Sequence, residues 1–465
     1  MKITESSPTL TARNPAFGPA VEALEARLSG QLIRPGDTAY DQARQLWNGR
    51  VDRYPALIAR CQTAQDVVLA VNFARDHNLA VAVRGGAHNS NGFATVNNGL
   101  VIDLSQMKGI EVDPNRRIAR AEPGLTFGEF SRATQAYGLG TTTGICAGTG
   151  ISGATLGGGT GWLMGKYGLA IDNVRSFELV TADGQLRKAS AEENADLFWG
   201  LRGGGGNFGV ITAIEVQLHP LDQVLGGMAI YPLAKAKETL RFYREFSNAT
   251  PDEVTVYAFL ATVPEVGPAV IIMGGYFGDD LAEGERLLAP LRRFGPPLVD
   301  LIQPMAYPDL LTMVDPIAPD GRNYYQPGYS IKQLSDEIID NLVGWAEKFT
   351  SPFSAILIHH IHGAATRVAP DATAFALREP HYIVMHDAAW EDGPAEAHIE
   401  WARAGFAAMQ PFAMRGVYVN FIVGENEEAV RDSYQANYER LAVLKQKYDP
   451  TNFFRANQNI KPALR

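Results

Sequence analysis

The chain has 465 residues, too many for one ordinary hydrophobic core, so two domains are the default expectation. It is 46% hydrophobic and 20% charged, as globular proteins are, and its formal net charge of −10 excludes the basic footprint of a nucleic-acid or anionic-membrane binder. Two cysteines, Cys61 and Cys146, exclude a disulfide framework and a thiolate zinc site, and no apolar run approaches the ~20 residues of a membrane span.

The opening residues, MKITESSPTLTARNPAFGPA, lack the apolar core and the arginine pair of an export signal, which predicts a cytoplasmic protein. From about residue 45 to about 220, short apolar runs alternate with helical patterns in a glycine-rich background. Thr63-Ala64-Gln65-Asp66 precedes VVLAVNFARDHN, where Val67, Leu69, Ala70, Val71, Phe73 and Ala74 predict a helix. LAVAVRGG predicts a strand ending in a turn, and GLVIDLS, IARAEPG, LVTADG and GVITAIEVQL continue the series. Within SFELVTADGQLRKA, Asp183-Gly184 predicts a hairpin.

From about 222 to about 420 glycine thins and the segments lengthen. VTVYAFLATV, AVIIMGGYF, SAILIHHIHG and HYIVMHDAAW read as strands, LSDEIIDNLVGWAEKF and AEAHIEWARAGFAAM as helices. This predicts a separate sheet with helices on one face. EEAVRDSYQANYERLAVLKQKY reads as one helix stopped at Asp449-Pro450 and followed by a loop ending NQNIKP. The fold class is α+β, with one domain over residues 1–221, a second over 222–422 and a C-terminal segment over 423–465. No low-complexity linker separates them, so they are expected to be tightly joined.

Three glycine-rich segments carry the chemistry. In RGGAHNSNG a strand ends, Gly85 and Gly86 permit a tight turn, and the turn presents His88. Taken alone, such a histidine is as a rule a turn residue bonded to backbone. The second segment is GICAGTGISGATLGGGTG. As a P-loop ending at Lys166 it would need glycine at position 160 and Ser or Thr at 167, where the chain has Thr160 and Tyr167. Gly148 to Gly153 match G-x-G-x-x-G, but a polar turn precedes them and no acid stands at the ribose distance, so NAD(P) remains a minor alternative. So many glycines are not expected in helix or ordinary sheet; a backbone laid against a planar or phosphorylated ligand accounts for them. LFWGLRGGGGNFGV, before another strand, is the third segment.

RGGAHNSNGF, GICAGTGISGATLGGGTGWLMGKYGLAIDNV, LFWGLRGGGGNFGVIT and YDPTNFFRANQNIKP, in that order, resemble the berberine bridge enzyme-like FAD-linked oxidases of the vanillyl-alcohol oxidase fold group, which include 6-hydroxy-D-nicotine oxidases. The resemblance covers nearly the whole chain. It implies FAD attached through its 8α-methyl to His88 and through C6 to Cys146. Around His88 it places Arg84, Gly85, Gly86, Ala87, Asn89 and Gly92 against the cofactor. Around Cys146 it implies Gly148, Thr149, Gly150 and Gly153, then Gly157, Gly158 and Gly161. Asp172, Asn173, Asn207, Gly209 and Val210 would line the cofactor, and Asn457 and Asn459 would return the C-terminal segment to the flavin edge. Thr149 is small where oxygen would reach the ring.

The resemblance further implies a hydride passed from a C–H bearing an alcohol, hemiacetal or amine to flavin N5, and then electrons to O2 to give H2O2. A dehydrogenase or oxidative cyclase of secondary metabolism using another acceptor is the alternative, and a flavin carrier without turnover a lesser one. Partners are a small-molecule substrate and molecular oxygen, in a monomer or homodimer without nucleic acid, membrane or metal. Alcohol-oxidising relatives place a tyrosine base in Y-x-N-Y; here the stretch is Tyr418-Val419-Asn420-Phe421. If it is a strand, Phe421 faces away from Tyr418. Other base candidates are His360, sharing a strand face with His362 while His359 takes the other, and Tyr325, on the loop GRNYYQPG. A histidine satisfied within the sheet explains His360 equally well. An amine needs less of a base than an alcohol, so Phe421 leaves amine oxidation open.

Overall fold

Thr63 caps the helix Ala64–Asp76 reciprocally: its hydroxyl accepts the Asp66 N–H, and the Asp66 carboxylate accepts the Thr63 N–H. Asp66 also accepts from Ser29 and Gln62, which ties the preceding chain to the helix start. This region belongs to a computed structural model that describes residues 17–464, so residues 1–16 of the opening stretch read for export lie outside the described residues. The helix packs on a four-stranded sheet ordered Gln31–Ile33, Leu57–Arg60, Leu100–Asp103, Val81–Arg84, of which the last three are parallel. A five-stranded antiparallel sheet follows, in the order Ile110–Asp113, Ile118–Ala121, Val210–Gln217, Val174–Val180, Leu186–Ser190. Its last pair is the expected hairpin, with Gly184 at φ +77.

The third sheet has nine antiparallel strands, centred on Gly267–Tyr276, Val254–Val263, Ala355–Ile361 and His381–Trp390. Helices Ala236–Ala249, Leu281–Arg293, Asp336–Ala346 and Ala395–Met409 cover one face, packing Leu240, Leu288, Leu342 and Ala402 against Val256, Ile272, Ile358 and Val384. Each of these leucine, valine and isoleucine side chains contributes roughly 1.5–3 kcal/mol by leaving water. By alternation the other face carries Tyr257, Phe259, Ile271 and Met273, which join the core formed with the glycine-rich segments. The structure therefore shows the α+β class and the helices on one face of the nine-stranded sheet.

Four local expectations are corrected. Ile151–Gly157 is a short helix despite its glycines, because Gly153 lies on an open side where no Cβ is needed for packing. The tail helix is two helices, Glu427–Tyr434 and Asn437–Tyr448, broken where Gln435 adopts φ +49. Tyr324 and Tyr325 lie on a strand, Asn323–Tyr325, paired with Trp390 to Ala388. Val419–Phe421 is a single 3-10 turn, so strand alternation does not separate Phe421 from Tyr418. No helix of the described residues is long and apolar enough to cross a membrane.

Candidate cofactor and substrate cavity

After the strand Val81–Arg84 the chain turns through Gly85-Gly86, and Ala87 adopts a left-handed backbone at φ +55. That costs an alanine roughly 1–2 kcal/mol, held here by the Trp47 N–H bonded to the Ala87 carbonyl at 3.3 Å. His88 follows and stacks on Trp47, ring centroids 4.3 Å apart; Trp47 also stacks on Tyr324 at 3.8 Å. Thr149 and Ala147 carbonyls accept from Phe127 and Gly128, which pins the Cys146 loop to the start of a helix, Phe127–Gln135. Gly86 and Gly150 meet backbone to backbone, leaving no room for a Cβ on either.

The third loop is held by Asn207. Its amide donates to the carbonyls of Gly204 and Gln458, and its side-chain oxygen accepts the Ile460 N–H at 3.0 Å. Lys445, fully buried, donates to the Asn207 carbonyl, the Phe454 carbonyl and the Asp449 carboxylate at 2.7, 2.8 and 2.7 Å. The tail is thereby fixed against the third loop.

One cavity collects these segments. Gly85, Gly86, Ala87, His88 and Asn89 line it from the first; Cys146, Thr149, Gly150 and Gly153 from the second; Asn207 and Gly209 from the third; Asn457 from the tail. His88 and Cys146 are half-buried, their accessible atoms facing the cavity. Burial lowers the His88 imidazole to about 4, so it is neutral at pH 7, and raises the Cys146 thiol to about 12. A flavin dinucleotide fits these residues: Gly153 and Gly206 leave open backbone at the wall, and the side-chain oxygens of Asn457 and Gln458 are buried there without partners.

Ten of the sequence-predicted cofactor positions do not line this cavity. Arg84 lies 4.0 Å from Asp103 and donates to the Ala43 carbonyl, and Gly92 packs on Val51. Gly148 is exposed; Gly157, Gly158 and Gly161 give room to Asn420, Phe375 and the Thr143 carbonyl. Asp172 is paired with Arg378 at 2.8 Å, while Asn173 bonds Tyr167, Leu169 and His219. Val210 starts a strand inside the apolar core, and Asn459 lines a neighbouring cleft with Arg53 and Lys461.

The nine-stranded sheet closes the cavity with Phe259, Ala261, Ile271, Met273, Leu357 and Met385. His359, not His360, faces it: His359 stacks on Tyr257 at 4.3 Å, both its ring nitrogens lack partners, and burial lowers it to about 3. His360 stacks on Tyr382 on the helix-covered face. Tyr325 is also outside the cavity, its hydroxyl accepting from Arg403 at 3.2 Å. Phe421 does line it, its ring 5.0 Å from that of Tyr418, whose hydroxyl accepts the Gly159 N–H and the Asn420 amide. Sequence reasoning also missed Trp47, Gln326 and Asp387. Asp387 is buried in the wall, its Oδ2 accepting the Gln326 amide at 3.0 Å, and desolvation raises its carboxyl to about 7. An acid inside the apolar strand HYIVMHDAAW was the available signal.

A family profile described as a FAD binding domain matches residues 55–190, and one described as berberine and berberine like matches residues 417–461. The class that fold and site define is thus the FAD-dependent oxidoreductases. A FAD-linked oxidoreductase of Dictyostelium discoideum is 34% identical over 442 residues, 94% of this chain and 95% of that one. The (R)-6-hydroxynicotine oxidase of Paenarthrobacter nicotinovorans is 31% identical over 95% of this chain and 98% of its own. The crystal structure of 6-hydroxy-D-nicotine oxidase from Arthrobacter nicotinovorans superposes with a TM-score of 0.84 at 30% identity, covering 94% of this chain and 98% of that one. This chain belongs to the berberine bridge enzyme-like family of FAD-linked oxidoreductases.

Proposed function

We propose that this oxidoreductase holds FAD at two covalent points, His88 and Cys146, and acts as an oxidase on a C–H next to an alcohol, hemiacetal or amine. The observation that carries this reading is the meeting of His88 and Cys146 on one cavity, with Gly86 and Gly150 in backbone contact between their loops. Bound FAD supplies a two-electron acceptor for hydride, with O2 as the final acceptor. The chain's own residues supply the rest. Trp47 orients His88, and the wall of Phe259, Ile271, Met273, Leu357 and Met385 excludes water from the substrate side. Phe421 offers no proton acceptor. His359, 6.2 Å from it between ring centroids, is a neutral but weak one, which suits a substrate that needs little deprotonation, such as a neutral amine.

The related 6-hydroxynicotine oxidase supports oxidase chemistry. The division into residues 1–221 with 423–465 on the cofactor side and 222–422 on the substrate side is part of the same proposal, supported by the tail's bonds to Asn207 and by the sheet over the cavity. The test is direct. A substrate should bleach the yellow protein without air, and admitting air should restore the colour with release of H2O2. Colour that fails to return in air would reject oxygen as acceptor.

A further inference from the structure

We infer that the cavity recognises its substrate as a cation: an apolar body bearing, away from the carbon that is oxidised, a protonated amine, with the Asp387 carboxylate as counter-ion. This rests on the reading that the sheet-lined end of the cavity is the substrate side. Ala355 pairs with Asp387, Leu357 with Met385 and His359 with Ile383. Asp387 and His359 therefore stand four residues apart in register on the cavity face, roughly 13 Å at ~3.3 Å per residue. Leu357, Met385 and Phe259 fill the interval. The side chains of that stretch offer no hydrogen-bond partners, so sugar hydroxyls laid along it would lose water without replacement.

Asp387 is buried, and its Oδ1 has no hydrogen-bond partner. Gln326 satisfies only Oδ2. A neighbouring guanidinium also acts on its charge. The field of Arg322 favours the ionised form, but that guanidinium is paired with Glu391 at 2.7 Å and lies over the Phe353 ring. The Tyr324 hydroxyl donates to the Pro319 carbonyl. Among the described residues no cation contacts this carboxylate, which is aimed into an apolar cavity, and a substrate ammonium would complete it. A neutral alcohol of the same shape gains one ordinary hydrogen bond there and no charge pairing.

The experiment uses purified holoprotein, reduced with dithionite under argon so that nothing turns over, and titrates it calorimetrically. The probes are phenylalkylamines with two to six methylenes, each matched by its isosteric alcohol, with cellobiose as the sugar. At pH 8 the best amine should bind at least tenfold more tightly than its alcohol and more tightly than cellobiose. Asp387→Asn should abolish that preference and leave alcohol binding unchanged. In the unmutated protein, lowering the pH from 8 to 6 should shrink the preference, which requires no variant to fold. No amine preference at any chain length, or a preference that survives both Asp387→Asn and pH 6, overturns the inference. Flavin released by acid, or colour that does not return in air, would instead defeat the covalent-oxidase reading while leaving these titrations interpretable.

Discussion

Gly86 and Gly150 lie so close that a Cβ built on either would overlap the backbone of the other. This contact brings together the loop that presents His88 and the loop that carries Cys146, and it explains why both motifs need glycine at these positions. Gly86→Ala and Gly150→Ala should each lower stability by about 1–3 kcal/mol and reduce the flavin-to-protein ratio. Gly148→Ala is the control, since nothing lies within 4 Å of a Cβ there. Thermal melts and the absorbance ratio of the three variants check this, and equal loss in the control would disprove it.

The Lys445–Asp449 pair makes the second prediction. Both side chains are fully buried, and the ammonium also holds the carbonyls of Asn207 and Phe454. Lys445→Met removes the cation and leaves Asp449 buried with only the N–H groups of Phe453 and Phe454. The expected loss is about 3–5 kcal/mol, read from urea unfolding. The C-terminal loop should also become protease-sensitive before the rest of the chain unfolds.

Much of this was legible in sequence where local chemistry decides the outcome. The capping box at Thr63, the turn at Asp183-Gly184 and the alternation that sets His359 opposite His360 are all short-range signals. What was not legible depended on which face of a sheet meets which partner. Alternation separated the two histidines but could not say that helices cover the side of His360. Tyr324 is buried because Trp47, distant in sequence, stacks on it. Gly157, Gly158 and Gly161 look like cofactor glycines in a motif, yet in the fold they make space for Asn420, Phe375 and the Thr143 carbonyl. A glycine records a close approach without recording what approaches.

His386 should make the protein acid-sensitive. It lies on the helix-covered face near Tyr329, Trp345 and Trp401, both ring nitrogens lack partners, and burial lowers it to about 3. Between that value and the ~6.5 of an unfolded histidine, the unfolded chain binds the proton and the native one does not, so stability falls as pH falls below about 6.5. From pH 7 to pH 5 this one group should cost about 2 kcal/mol. His386→Phe should flatten the dependence of melting temperature on pH over that range. A slope equal to that of the parent protein would assign the sensitivity to other groups, such as His359.

Attachment of the flavin should depend unequally on its two proposed anchors. The His88 imidazole is neutral at pH 7 and so has a free nitrogen lone pair, while its ring is held against Trp47. The Cys146 thiol, pushed up to about 12 by burial and then by the field of Asp315, is protonated and a poor nucleophile until a cofactor lies beside it. Cys146→Ala should therefore retain nearly all its covalent flavin through His88, with a shifted absorption spectrum. His88→Ala should retain a smaller covalent fraction through the sulfur, and the double variant none. Trp47→Leu should slow attachment at His88 without abolishing it, because it removes only the orientation of the ring. In-gel flavin fluorescence after acid precipitation measures all four proteins, and covalent flavin in the double variant would show that neither residue is the anchor.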